Sequence, residues 1–370
     1  MEILKEDTGA LTASVKIMIT KEDYEDKVNK TLKEYQRKAN IPGFRPGKVP
    51  FGMVSKMYRK GVLLDEINHL LSENLQKYID DNKLDILGNP LPNKEKAAAF
   101  DIDNQSDFEF VFDLGLKPEF TLDLASFGSI DYYKITATEK MIDEQVHELQ
   151  HRLYHHDHPE KEGEHAEDEH HHDEELPELD EAFFDKVFPG AEVKDVESFR
   201  LKIKESLESS LAKESERFFM NSAIEKLIKE TQFDLPDDFL RKSIRETNEK
   251  EVTDEQFDTQ YSNFTNSLRW QLIEYKLIED HNIRIGEEEM RNVVKGYFSG
   301  YSTNSAEDPE QEERLNKIAD SVLNNEQEAN RLHDQLFDQK MLAFLKSNLK
   351  TGNQEITYDD FIKMVTQKKD

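Results

Sequence analysis

The chain has 370 residues, with 79 acidic and 49 basic side chains, and its formal net charge is −30. It contains no cysteine, which excludes disulfides, cysteine-ligated zinc and thiol catalysis. No apolar run approaches the roughly 18 residues of a membrane-spanning helix, and the amino terminus lacks the apolar stretch of a secretory signal. The negative charge also argues against nucleic-acid binding over the whole surface, so any such contact must be local.

The first third of the chain predicts a mixed α+β domain over residues 1–116. Residues 11–19 alternate loosely between apolar and polar, as a strand does, and Thr20 can cap a helix that runs to about residue 39. The apolar face of this helix carries Val28, Leu32 and Tyr35. A loop, two helices, a turn and a second strand are expected to follow at 41–50, 51–60, 62–81, 87–93 and 107–116.

The remainder predicts a linker over 117–175 and a helical domain over 176–370. Residues 117–137 are typical of an extended segment, and a helix is expected from Thr138 to about Tyr154. Residues 155–175 are rich in histidine and acid, which favours disorder or weak helix. After Pro177 the pattern predicts only helices, at 195–231, from 236, and at 253–281, 286–298, 308–323, 325–349 and 358–367. We therefore expect an α+β domain joined by an extended linker to an elongated, all-α domain.

Charge is concentrated in two segments of opposite sign. Residues 27–60 carry ten basic side chains and one acidic side chain, a local net charge of +9 in a chain of −30. Residues 156–181 carry thirteen acidic side chains and one lysine. The basic segment favours a local contact with an anionic, phosphate-bearing surface, although basic residues on a helix are often only its solvated face.

The loop inside the basic segment has the residues of a rigid, exposed tip. Two glycines and two prolines between Gly43 and Pro50 predict a sharp bend, with Phe44 and Arg45 adjacent at its end. An exposed aromatic ring can stack or insert, and an arginine can donate two hydrogen bonds to a phosphate or a carboxylate. RNA recognition by shape and a few stacking contacts fits this pair. The alternative is a tight turn whose Phe44 packs into its own domain.

These residues form the string Gly-Phe-Arg-x-Gly-x-x-Pro about forty residues from the amino terminus, after a strand and a basic helix. The string resembles the ribosome-docking loop of trigger factor, the family of bacterial chaperones that meet nascent chains at the ribosomal tunnel exit. The strand at 107–116 and the stretch LPELDEAFFDKVFPG at 176–190 are similar to the ends of the family's domains. The resemblance covers residues 1–150 and 176–370, and outside the loop it concerns architecture more than motif.

The resemblance implies an ATP-independent chaperone that shields nascent chains during folding, acts in the cytoplasm and needs no cofactor. It implies ribosome contact through Gly43, Phe44, Arg45, Gly47 and Pro50, with Pro46 and Lys48 at variable positions of the motif and a supporting basic patch of Lys33, Arg37 and Lys38. The implied partners are protein and RNA of the large subunit and unfolded or nascent polypeptides. A homodimer is a further expectation, because a docking loop and an apolar surface on one chain could satisfy each other.

Members of the family usually carry a prolyl isomerase domain between the docking and helical domains. Such a domain needs on the order of 100 residues, whereas residues 155–175 show no strand pattern and no aromatic cluster. We therefore expect no prolyl isomerase activity of the usual type. The alternatives are a chain that retains this activity and a holding chaperone or helical adaptor that does not bind ribosomes.

Histidine is the other unusual feature, since nine of the twelve histidines lie between His147 and His172. His147, His151 and His155 are spaced to share one helical face, and a pair four residues apart can chelate Zn²⁺ or Ni²⁺. The spacing beyond His155 is irregular and no cysteine supports it, so we expect a polar linker without a metal and keep these three only as weak candidates. No arrangement of residues indicates a catalytic site.

The carboxy-terminal half is rich in aromatic residues at helical spacing, and most of them are expected in cores. A thin helical domain cannot bury them all, and exposed apolar patches mark interaction sites. The stretch KGYFSGY is flanked by glycines and gives the candidates for polypeptide binding, which are Tyr297, Phe298 and Tyr301.

Overall fold

The computed structural model describes residues 1–40, 42, 44, 45, 48–96, 102, 106–157, 176–247, 253–299 and 309–367. In chain order the strands and helices are β1 (Glu2–Gly9), β2 (Thr12–Ile19), α1 (Lys21–Lys38), α2 (Phe51–Asp81), β3 (Leu91–Pro92), β4 (Phe108–Gly115), β5 (Ile130–Thr136), α3 (Glu139–Asp157), α4 (Glu181–Val187), α5 (Val196–Glu230), α6 (Asp237–Thr247), α7 (Asp254–His281), α8 (Glu287–Ser299), α9 (Pro309–Leu323), α10 (Glu326–Asn348), β6 (Thr351–Thr357) and α11 (Tyr358–Gln367).

Backbone contacts divide the chain into two compact units. The first contains Met1–Thr121 and Gln232–Leu268, and the second contains Leu122–Thr231 and Arg269–Asp370. Residues 232–268, which lie far along the sequence in the expected helical domain, therefore belong with the amino-terminal residues. The domain boundaries expected at residues 116 and 175 remain predictions.

The first unit is built on a four-stranded antiparallel sheet in the order β1-β2-β4-β3. Strand β2 pairs with β4 along its whole length, from Thr12 opposite Gly115 to Ile19 opposite Phe108. One side of β2 supplies fully buried Val15, Ile17 and Ile19 to a core that also takes side chains from α1, α2 and β4. Alternate residues of β2 thus pack with residues of α1 that are four positions apart, Val28 and Leu32. Each of the two spacings was predicted from the sequence.

Helices α1 and α2 pack against each other and against this sheet. The predicted apolar face of α1 is confirmed at Val28 and Leu32, but Tyr35 is 42% exposed and its ring instead meets the edge of the Tyr58 ring. The prediction of two helices at 51–60 and 62–81 was wrong, because α2 continues through Gly61. A glycine costs a helix about 1 kcal/mol relative to alanine, and the burial of the following residues against α1 and the sheet outweighs this cost.

The edges of the sheet were not anticipated from the sequence. Strand β1 is exposed at seven of its eight positions and is strongly polar, so it carries no apolar alternation that would have predicted a strand. Strand β3 occupies two residues inside the expected turn at 87–93. Each forms because its neighbour, β2 for β1 and β4 for β3, offers backbone groups with which it can pair. These strands therefore depend on tertiary contacts and not on their own sequence pattern.

Helix α6 packs on the sheet at β4, in the same compact unit. Gly115 is required there, because a Cβ atom at this position would collide with the ring of Phe239. Beside this contact the Asp113 carboxylate accepts hydrogen bonds from the Ser14 hydroxyl at 2.9 Å, from the Asn93 amide at 2.8 and 3.0 Å, and from Lys242 Nζ at 3.1 Å. A polar network thus joins α6 to two strands.

The second unit has a helical core and a small sheet. Helices α3, α4 and α5 bury a cluster centred on Phe183, Phe184 and Phe199, whose rings lie 4.7 to 6.3 Å apart. Helices α8, α9 and α10 share another cluster around Val294, Ala319 and Leu336. The helices expected beyond residue 195 are all observed within a few residues of their predicted bounds.

The small sheet was not predicted from the sequence. Strand β5, inside the predicted extended segment, pairs in parallel with β6, from Ile130 opposite Thr351 to Thr136 opposite Thr357. The expectation that only helices follow Pro177 was therefore wrong at residues 351–357. That segment, TGNQEIT, is mostly polar and exposed, so its strand conformation comes from pairing with β5 rather than from its own pattern. Across the described ranges, no helix is both long and apolar enough to cross a membrane.

Candidate functional site

The candidate docking loop joins α1 to α2 in the first unit. Of its predicted contact residues, Phe44, Arg45, Lys48 and Pro50 are described, whereas Gly43, Pro46 and Gly47 lie outside the described residues. Because α1 and α2 pack side by side, the loop projects from the end of a helical hairpin that the sheet supports.

The two residues predicted at the tip are accessible. The Phe44 side chain is 37% exposed, and Arg45, Lys48 and Pro50 are also exposed. The Lys48 amide donates a hydrogen bond of 2.9 Å to the Arg45 carbonyl, which links these two described residues of the loop. An aromatic ring and a guanidinium group are therefore presented to solvent together, and Phe44 is not packed away as the alternative interpretation required.

The carboxy-terminal base of the loop is anchored. Val49 is 1% exposed, although the residues on both sides of it are exposed. Gln36, in the last turn of α1, donates a hydrogen bond of 2.7 Å from its side-chain amide to the Val49 carbonyl. The loop is thus attached to the helical hairpin immediately before α2 begins.

The supporting basic residues Lys33, Arg37 and Lys38 are all exposed near the end of α1 that leads into the loop. Farther from the loop, the positive charge is partly compensated within the unit. Arg59 donates to Glu25 at 2.6 Å, and this hydrogen bond lowers the pKa of Glu25 although burial opposes the effect. Lys27 lies 3.3 Å from Glu66.

Apolar side chains beside the loop are a feature that the sequence analysis missed. The exposed ones on the adjoining turns of α1 and α2 are Tyr35, Phe51, Met53, Met57 and Tyr58, at 36 to 56% exposure. The exposure of Met53 and Met57 could have been predicted from helical periodicity. Val54 and Val62 lie on the buried face of α2, and at 100° per residue the two methionines lie outside that face. The loop therefore lies in a surface that is both basic and apolar.

The histidine candidates are only partly described. The rings of His147 and His151 on α3 have centroids 4.5 Å apart, so they do share one face of the helix. The side chain of His155 lies outside the described residues. In the portions of the chain that the structure describes, no group of three or more histidine, cysteine, aspartate or glutamate residues could hold a metal ion.

The polypeptide-binding candidates lie on α8 in the second unit. Tyr297 is 54% exposed and Phe298 is 42% exposed, while Tyr301 lies outside the described residues. The Tyr297 hydroxyl accepts a hydrogen bond of 2.9 Å from the Gln335 amide, which links α8 to α10 at this surface. Tyr275 on α7, in the same unit, is a further large exposed side chain at 54% and was not singled out from the sequence.

Comparisons with known proteins agree with this architecture. The structure aligns with 93% of this chain and 99% of a solved chain from a study titled "Promiscuous Substrate Recognition in Folding and Assembly Activities of the Trigger Factor Chaperone", with a TM-score of 0.52 and 13% sequence identity. At that identity the likeness shows the fold alone. It defines the class of protein, one with the trigger factor fold, and the expected fold class is confirmed.

Two family models then match separate parts of the sequence. Residues 1–149 match "Bacterial trigger factor protein (TF)", and residues 215–365 match "Probable trigger factor, C-terminal domain". The chain belongs to the trigger factor family.

Individual curated relatives match a limited part of the chain. Trigger factor of Pseudomonas syringae pv. syringae (strain B728a) is 32% identical over 137 residues, which is 37% of this chain and 30% of the relative. Trigger factor of Lachnoclostridium phytofermentans is 28% identical over 143 residues, 38% of this chain and 32% of the relative. The chain thus spans about a third of the length of the curated relatives that it matches.

Proposed function

We propose that this chain is an ATP-independent chaperone that docks at the ribosomal tunnel exit through the 43–50 loop. The observation that supports the proposal most directly is the joint exposure of Phe44 and Arg45 at the tip of a loop within the +9 segment of a −30 chain. The arginine offers a fork of hydrogen bonds to phosphate or carboxylate, and the phenylalanine offers a ring for stacking or insertion.

The rest of the docking surface adds long-range attraction and contact area. Lys33, Arg37 and Lys38 are exposed beside the loop and attract the polyanionic ribosomal surface, while the remaining acidic surface is repelled by it. This distribution favours approach to RNA by the basic segment of the first unit. Large-subunit protein and RNA at the tunnel exit are the proposed partners, and the proposed location is the cytoplasm.

The second unit is the proposed holding surface for nascent or unfolded polypeptides. Its exposed Tyr297 and Phe298 offer apolar contact area at the surface, which suits weak binding with little demand on sequence. Binding and release then follow mass action, with no covalent step and no cofactor. A homodimer, in which this surface covers the apolar part of the docking surface of a second copy, is part of the same proposal.

The test is co-sedimentation of the chain with vacant ribosomes, which carry no nascent polypeptide. We expect Phe44→Ala with Arg45→Ala to lower the affinity for ribosomes, read from the ribosome concentration at half-maximal pelleting, by about tenfold or more, since a buried arginine contact and an aromatic contact each contribute about 1 kcal/mol or more. Binding of the parent chain should also weaken as salt is added.

A matched control removes one exposed aromatic and one exposed arginine elsewhere, as Phe264→Ala on α7 with Arg217→Ala on α5. It should pellet like the parent chain. Equal pelleting of the parent and of the Phe44/Arg45 variant would contradict the docking proposal.

A further inference from the structure

Gln36 connects the two ends of the candidate docking loop. It lies two residues before the end of α1, and its side-chain amide donates a hydrogen bond of 2.7 Å to the carbonyl of Val49, two residues before α2 begins. The Gln36 side chain is half-buried and Val49 is 1% exposed, so the bond is shielded from water on the Val49 side. A shielded hydrogen bond holds its geometry better than one at the open surface.

The bond satisfies a carbonyl that lies just outside α2. The first backbone hydrogen bonds of α2 run from the amides of Met53 and Val54 to the carbonyl of Pro50, not to that of Val49. Pro50 itself has no amide hydrogen, so it cannot fasten the loop to α1 by its own backbone donor. The Gln36 amide is therefore the donor by which α1 holds this point of the chain.

The anchor sits next to the tip. Lys48, one residue before Val49, donates its amide hydrogen to the Arg45 carbonyl. Fixing the Val49 carbonyl therefore restrains its neighbour Lys48 and, through the hydrogen bond from the Lys48 amide, Arg45 with Phe44 next to it. If this restraint is released, the tip samples more orientations, and the apparent affinity falls in proportion to the fraction that remains competent to bind.

We infer that Gln36 is a positioning residue for ribosome docking, one that touches no ribosomal group itself and holds Phe44 and Arg45 in the orientation that binds. The inference rests on the proposed docking function of the loop. Loss of a single neutral hydrogen bond corresponds to a change of about three- to tenfold in an equilibrium, so removal of the Gln36 donor should weaken docking by about that factor.

The experiment uses Gln36→Met in the full chain, because methionine keeps the length and the helix propensity of glutamine but cannot donate to the Val49 carbonyl. The matched control is Gln76→Met on α2, which removes an exposed amide that donates to Asp80 at 3.0 Å, far from the loop in sequence. Affinity for vacant ribosomes is measured at low salt for both variants, in the parent and in the Phe44→Ala, Arg45→Ala background.

A positioning role predicts non-additivity. Gln36→Met should weaken binding about three- to tenfold in the parent and less than twofold once Phe44 and Arg45 have been removed, and Gln76→Met should change neither value. Gln36→Lys, whose ammonium can again donate to the Val49 carbonyl, should restore most of the lost affinity when the tip is present. It should have no comparable effect when the tip is absent, which separates restored position from added charge.

The failures are distinguishable. A normal loss of binding on removal of Phe44 and Arg45, with no loss for Gln36→Met or with the same loss in both backgrounds, overturns this inference and leaves the docking proposal intact. Unchanged binding after removal of Phe44 and Arg45 overturns the docking proposal, and the role of Gln36 falls with it.

Discussion

The exposed residues of the candidate docking loop were predictable from the sequence, whereas the hydrogen bond that anchors the loop was not. Glycine and proline around Phe44 and Arg45 made an exposed tip predictable, because a short, bent loop has no room to bury both side chains. The contact from Gln36 to Val49 was not predictable, since it depends on how the residues before α2 pack against α1. Local chemistry thus predicted the residues that we propose to touch a partner, and packing supplied the residue that we propose to hold them.

Asp113 is a second case in which packing decides the role of one side chain, and it makes stability depend on pH. Burial raises its pKa, but hydrogen bonds from Asn93, Ser14 and Lys242 outweigh burial and hold the pKa below the ordinary value of 3.8. A carboxylate with a lowered pKa contributes stability that is fully present above the unfolded value and is lost as the pH falls through the folded value.

We expect Asp113→Asn to destabilise the contact between α6 and the sheet by about 1–3 kcal/mol near neutral pH, the usual range for hydrogen bonds to a charged group. The difference from the parent should shrink as the pH falls from about 5 to below the folded pKa. Hydrogen exchange of β4 amides at several pH values measures both effects.

A useful control for Asp113→Asn is Lys140→Met, which disrupts an exposed ion pair with Glu144 at 3.6 Å in the other unit and should leave β4 unaffected. A difference between Asp113→Asn and the parent that stays constant down to pH 3 would contradict the assigned role.

At the scale of elements, helices were predictable and strand edges were not. The long helices each present an apolar stripe at a period near 3.6, which survives in the sequence whatever the helix packs against. Strands β1, β3 and β6 are short, polar or exposed, and each is a strand because a neighbour pairs with it. The predicted break in the helix at Gly61 was wrong for a similar reason, because the packing of α2 against the rest of the unit keeps the helix continuous.

Gly61 offers a direct test of that account. It lies inside α2 with a negative φ, and a Cβ atom there would meet nothing within 4 Å. We expect Gly61→Ala to stabilise the first unit by about 0.5–1 kcal/mol, because alanine loses less backbone entropy in a helix. Slower hydrogen exchange of the α2 amides in native conditions is the measurement.

Gly88→Ala is the matched control for Gly61→Ala. Gly88 also has open space around it, but its φ is +73°, a conformation that strains any residue with a Cβ atom. This variant should destabilise the same unit. Destabilisation by Gly61→Ala would show that α2 needs glycine at that point, contrary to a continuous, ordinary helix.

At the scale of the whole molecule, the length of the histidine- and acid-rich segment is relevant to prolyl isomerase activity. Helix α3 ends at Asp157 and the described chain resumes at residue 176, so eighteen residues separate these points. A prolyl isomerase domain needs on the order of 100 residues. We propose that the chain acts by docking and holding, without prolyl isomerase activity of the usual type.

The expected outcome of a prolyl turnover assay on a short peptide is therefore the uncatalysed rate at every protein concentration. Heat-denatured protein at the same concentration serves as the control for effects of the buffer and of added protein. A rate that rises in proportion to the concentration of native protein would show that the chain carries an isomerase site elsewhere.

The amino-acid sequence by itself determined most of the helices, the strands β2 and β4, the charge separation and the motif of the candidate docking loop, because each of these depends on residues close together along the chain. Only the tertiary structure decided that residues 232–268 join the amino-terminal unit and that β5 pairs with β6, whose side chains Lys134 and Glu355 lie 221 positions apart and 2.9 Å from each other. The physical reason is that local patterns record which surfaces are apolar, whereas the choice between distant partners depends on shape and on backbone groups left unpaired, and no short stretch of sequence contains both partners.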